Sequence, residues 1–202
     1  MSRLFRYLLT VAILVLSAGR EAAQERVKTL ENCLPAYFDM DTLKALAAAK
    51  DLGSLDSAHR RAPFTDAAIE VVYAAKRLRL GPGSATDEAL LRALPRNPLE
   101  FWFVYALTTP EKGLPTDISD LVYEYYSGAA AAVARTGKHY LEYLRLSEMA
   151  LSGEMLDMLH DHNEDLFRTN SKRFRSAIRL LSERGRDAAC GEDIPCFHPS
   201  KH

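Results

Sequence analysis

Asn97-Pro98-Leu99-Glu100-Phe101-Trp102-Phe103-Val104-Tyr105-Ala106-Leu107 is the stretch that decides the fold class. Asn97 is a strong N-cap residue and Pro98 suits the first helical position. Glu100 stands at N3, where its carboxylate can reach back to the cap. The seven residues after it are apolar on every side of a 3.6-residue period, the pattern of a helix in the middle of a domain.

Helix punctuation continues in both directions. Upstream, Leu43, Leu46 and Ala47 follow the acids Asp39 and Asp41, and Gly53 is the expected stop. Thr65 is expected to cap a second helix striped by Ile69, Val72, Lys76 and Leu80 and ended by Gly81-Pro82. Ser84 with Asp87 opens a short helix through Leu94, halted by Pro95. Downstream, Thr116 should cap a helix striped by Ile118, Leu121, Val122, Tyr125, Ala129, Ala132 and Val133. Its Ala129 to Ala132 run lets a neighbouring backbone come close. Lys138 to Leu151 repeats the pattern, and one long helix is expected from Glu154 to Arg184. No stretch alternates with period two for long enough to make a strand. The expectation is therefore all-α: an antiparallel multi-helix array, either a helical bundle or a short α-solenoid of helix hairpins.

The N-terminus has the three parts of a secretory signal. Arg3 and Arg6 form a basic region, Leu8 to Leu16 is apolar except for Thr10, and Ser17-Ala18-Gly19 puts small residues before Arg20. Residues 1–19 read as a signal peptide cleaved after Gly19, 20–187 as a single all-α domain, and 188–202 as a cysteine-containing tail. The expected compartment is periplasmic or secreted. Of 26 basic and 27 acidic side chains the signal removes two basic ones, leaving 24 against 27. So slight an acidity gives no electrostatic case for nucleic acid. No later apolar run approaches a membrane span, so stable membrane insertion after cleavage is not expected.

Cysteine usage fits that address, since disulfides persist outside the cytoplasm. The loop between Cys190 and Cys196 contains Gly191 and Pro195, so a local bridge is the first expectation. Cys33 joined to one of that pair is the second. Either leaves one thiol over, which hints at a partner or a buried free thiol.

Candidate chemistry concentrates in Leu159-His160-Asp161-His162-Asn163-Glu164-Asp165. His160 and His162 point about 200° apart on a helix and cannot share one metal. His160, Asn163, Glu164 and Phe167 do share a face, with Asn170 a turn further on. A His160–Glu164 pair on a core-facing stripe either meets a metal or a proton in a cleft, or pairs with neighbouring helices. A carboxylate from another helix, Asp120 or Glu124, is the candidate third ligand. Cys190, Cys196 and His198, with His202 nearby, give a weaker zinc pattern. Tyr123, Tyr126, Tyr140 and Tyr143 gather on two adjacent helices, and tyrosine joins apolar area to a polar tip, as binding surfaces do. There is no Gly-x-Ser-x-Gly elbow, no His-Glu-x-x-His and no phosphate-cradling glycine loop.

These features point to an exported, non-catalytic helical module that binds another protein, as an adaptor, inhibitor or immunity-type factor. No cofactor is expected on that reading; one alternative is a metal-dependent hydrolase or metal-binding protein using His160 and Glu164, with a metal of unspecified kind. A second is a periplasmic carrier of a small apolar ligand, with the Phe101–Leu107 helix lining its pocket.

Overall fold

Short polar side chains that accept hydrogen bonds from the first free backbone N–H groups open six of the ten helices among the described residues. The computed structural model describes residues 38–108, 117–150, 153–191 and 194–196. Among these residues ten helices follow one another and no strand occurs. Residues 1–19, expected to form a signal peptide, and Cys33, Thr116, His198 and His202 lie outside the described residues.

Helix α1 (Met40–Ala48) is capped by Asp39, which accepts from Thr42 N at 3.1 Å. α2 (Leu52–Arg61) opens on a reciprocal box between Asp51 and Ser54. The expected stop at Gly53 is therefore corrected: α1 already ends at Ala48, and Gly53 lies in the first turn of a separate helix. α3 (Ala67–Leu80) is capped by Asp66 rather than Thr65, with Ile69 N at 2.9 Å from its carboxylate. α4 (Ser84–Arg92) precedes α5 (Pro98–Ala106), where Asn97 accepts from Glu100 N at 3.0 Å. Glu100 reaches back as the spacing predicts, to the Arg96 N–H at 2.8 Å and the Asn97 side-chain amide at 2.9 Å.

α6 (Asp117–Thr136) is the longest helix among the described residues, at 20 residues. α7 (Tyr140–Met149) follows the Gly137 turn. The single long helix expected after Glu154 is three: α8 (Glu154–Thr169), α9 (Ser171–Ile178) and α10 (Glu183–Cys190). Asn170, extended at φ −153°, ends α8 and caps α9 through Arg173 N at 3.0 Å. Ser182 caps α10 through Gly185 N at 3.0 Å. Both residues offer the backbone a competing hydrogen bond, and that competition breaks the apolar stripe into segments. The helical body thus continues through Cys190, past the expected tail boundary at 187.

Packing passes down the chain through α6. α1 and α2 lie on α3; α3 and α4 lie on one side of α6; α8 lies against α6 as well, and α7, α9 and α10 pack around α8 and each other. α6 and not α5 is the central element. α5 buries Phe101 and Val104, with Leu107 just beyond its end, while Trp102, Phe103 and Tyr105 stay half-buried despite their composition. The close approach to α6 is at Gly128 rather than along Ala129 to Ala132, and it is made by a side chain: a Cβ there would stand 2.6 Å from Leu78 Cδ2 of α3. Lys76, expected on the α3 apolar stripe, sends its ammonium to the Ala47 carbonyl at 2.5 Å, in the last turn of α1 where a cation is favoured. No helix among the described residues is long and apolar enough to cross a membrane.

Candidate functional site

Tyr126 of α6 and Tyr143 of α7 meet where the Tyr143 hydroxyl lies 3.1 Å from the Tyr126 carbonyl, while Tyr125 turns its hydroxyl to the Leu90 carbonyl of α4 at 3.3 Å. Tyr126 and Tyr143 are completely buried and Tyr140 is nearly so. The expected four-tyrosine binding face is therefore corrected: a phenol packed in the core has no surface to offer a partner, and only Tyr123 is half-exposed. Burial pushes the Tyr126 and Tyr143 hydroxyls well above the ordinary phenol range, so both stay neutral.

His160 and Glu164 are likewise not brought together with a third ligand. Glu164 accepts from Arg168 at 2.6 Å on its own helix. His160 lies over Gly191, so closely that a Cβ on the glycine would overlap the imidazole ring. Glu124 is engaged by Arg79 through two hydrogen bonds of 2.5 and 2.7 Å. Among the described residues no group of three His, Cys, Asp or Glu side chains could hold a metal ion. Cys190 and Cys196 are instead joined as a disulfide, with Cα atoms 6.2 Å apart. That was the first expectation for them, and the bridge takes both thiols away from a zinc site.

Asn163, next to His162 on α8, is fully buried. Its amide donates to Ser147 Oγ of α7 at 2.9 Å and to the Ala189 carbonyl of α10 at 3.1 Å. The polar break in the α8 stripe is thus a three-helix fastening rather than the floor of a cleft.

His162, one residue earlier on α8, has the more developed surroundings. Its Nδ1 is 2.7 Å from the Tyr143 hydroxyl, and its Nε2 is 3.2 Å from Ser127 Oγ on the exposed side of α6. The Tyr143 hydroxyl is also 3.1 Å from the Tyr126 carbonyl, which can only accept. Tyr143 donates to the carbonyl and Nδ1–H donates to Tyr143, and in the neutral ring Ser127 then donates to a bare Nε2. Burial lowers the imidazole's pKa, against the smaller opposing pull of Asp161 and Asp165. The ring is therefore neutral at pH 7, with its unprotonated nitrogen toward a solvent-exposed serine. In the sequence His162 is marked only by its angle to His160, which excludes a shared metal. Ser127 is 35 residues away and no spacing rule joins them.

A second feature runs beside this seam. The Trp102 and Tyr105 rings of α5 meet edge to face with centroids 5.3 Å apart. Tyr105 also lies close enough to influence Tyr123 electrostatically. Trp102, Tyr105 and Tyr123 are all half-buried, giving an aromatic strip across α5 and α6. Compared with known proteins, the chain matches no family model, no curated protein sequence and no solved structure.

Proposed function

We propose that this chain is an exported helical module that works by binding another protein, with the Trp102–Tyr105–Tyr123 strip as its contact surface. The observation that carries the reading is the half-exposure of these three aromatic residues on an all-helical scaffold. Tryptophan and tyrosine give large, rigid contact area at low entropic cost and dominate interface energetics. The strip replaces the four-tyrosine face and keeps only Tyr123 from it. Export rests on the N-terminal signal pattern, and the Cys190–Cys196 disulfide is compatible with an oxidising compartment.

The test is affinity capture of the tagged chain from the extracytoplasmic fraction of its own host, read by native mass spectrometry. A protein recovered in stoichiometric amount with the wild-type chain should disappear with Trp102→Ser and Tyr123→Ser, the far-ultraviolet circular dichroism being unchanged. Equal recovery with both variants would remove the strip as the contact. The same spectrum reports whether the chain begins at Arg20, and a chain found only at full length in the cytoplasm would overturn export.

A further inference from the structure

Ser127, His162 and Tyr143 come from three helices and stand in the order of a nucleophile, its base and a group that orients the base. Such an arrangement needs the imidazole neutral, with Nε2 bare and aimed at the hydroxyl, and the chain from Nδ1–H through Tyr143 to the Tyr126 carbonyl sets that tautomer in the neutral ring. It also needs access, and Ser127 is exposed while His162 is half-buried beneath it. We propose that Ser127 is a nucleophile toward activated carboxylic esters, with His162 as its general base and Tyr143 as a positioning residue. This activity goes beyond the binding reading and does not depend on it.

The chemistry balances without a further reagent except water. Ser127 Oγ attacks the ester carbonyl carbon while its proton passes to His162 Nε2. The tetrahedral adduct collapses, the acyl C–O bond breaks, and His162 returns the proton to the departing alkoxide. Water then gives its proton to His162 and attacks the acyl-serine, releasing the carboxylic acid and restoring the hydroxyl. The imidazolium formed in each half is favoured by Asp161 and Asp165, whose charges reach the ring, since neutral Tyr143 supplies orientation but no countercharge.

The surroundings also select the substrate. Ser127 lies inside α6, so its own N–H is committed to the helix and does not offer the oxyanion the donor found at a nucleophile turn. Esters with good leaving groups need the least such help, which excludes amides and peptides. Tyr123 lies four residues earlier on the same face of α6 and offers aromatic surface to an apolar acyl chain.

The experiment is labelling of the full processed protein with a fluorophosphonate probe, which phosphonylates an activated serine with loss of fluoride. Peptide mass mapping should place the adduct on Ser127, with none in Ser127→Ala. Labelling should slow by about a hundredfold in His162→Gln, the usual share of a general base. The wild-type rate should rise with pH through a midpoint below the ordinary histidine value of about 6.5. Tyr143→Phe should slow labelling and move that midpoint, because nothing then holds the tautomer. Ser147→Ala, which loosens the same seam without touching the ring, should change neither. No adduct on wild-type Ser127 overturns the proposal, as does a folded His162→Gln that labels at the wild-type rate. Should His162→Gln fail to fold, a wild-type rate flat from pH 5 to pH 8 overturns it equally.

Discussion

The side-chain amide of Asn163 donates to the Ala189 carbonyl at 3.1 Å, one residue before the disulfide at Cys190. A second hydrogen bond from the same amide, to Ser147 Oγ, makes Asn163 the point at which α7, α8 and α10 are held together. The residue is completely buried, so whatever it leaves unpaired stays out of water.

Asn163→Ala should therefore cost more than an average core truncation of its size. Two buried acceptors lose their donor, at about 1–3 kcal/mol for unsatisfied groups. Urea unfolding should show a loss of about 2–3 kcal/mol. In a double-mutant cycle with Ser147→Ala the pair should couple by about 1 kcal/mol, and additive losses would show that the 2.9 Å contact contributes nothing.

Gly191 gives a sharper test because two separate causes act at one position. Its φ of +53° and ψ of −154° belong to a region that side chains avoid, and a Cβ would meet the His160 ring. Strain of this kind costs about 1–3 kcal/mol before any clash is counted. Gly191→Ala should lower the unfolding midpoint, and adding His160→Ala should restore part of the loss but not all of it. Full restoration would mean that the ring contact alone matters, and no restoration that the backbone alone does.

How far the sequence could be read follows from these same residues. The Asn97–Glu100 signal was legible because cap, proline and acid lie within four positions, and the structure makes the bonds that this spacing allows. The α2 helix was hidden because Gly53 reads as a stop, although the box that starts the helix flanks it at Asp51 and Ser54. Composition misplaced α5: seven apolar residues in a row say nothing about which of them meet a neighbour, and only one side does. The four tyrosines failed for a related reason. A phenol that tips a core stripe and one that tips a surface look identical in sequence, and helical angle separates them only when the neighbouring helix is known. The Asn163 break in the α8 stripe was visible, and its partners at Ser147 and Ala189 were not, since they depend on how α7 and α10 fold back.

The Cys190–Cys196 bridge should stabilise the chain measurably in spite of its short span. For a sequence separation of six, the chain-entropy relation gives about 2 kcal/mol. Reduction, or Cys190→Ser with Cys196→Ser, should lower the unfolding free energy by about that amount. Because Ala189 and Gly191 beside the bridge contact Asn163 and His160, amide exchange should quicken first in α10 and the facing part of α8. Exchange quickening uniformly across α1 to α4 would argue that the bridge acts on the unfolded chain alone.

His162 links the seam to pH, and the direction follows from its lowered pKa. In the unfolded chain the imidazole takes up its proton near the ordinary value of about 6.5, while in the folded chain it does so only at lower pH. Between those two points the unfolded state binds more protons, so stability falls as pH falls, and above the higher point the contribution is fully present. Wild-type protein should lose stability from pH 7.5 to pH 5 by more than His162→Gln does, with the two chains differing least in slope above pH 7. An imidazole titration followed by nuclear magnetic resonance should place the His162 midpoint below the ordinary histidine value of about 6.5. A midpoint above that value would mean that Asp161 and Asp165 outweigh burial, and that the ring is charged where the Ser127 contact needs it neutral.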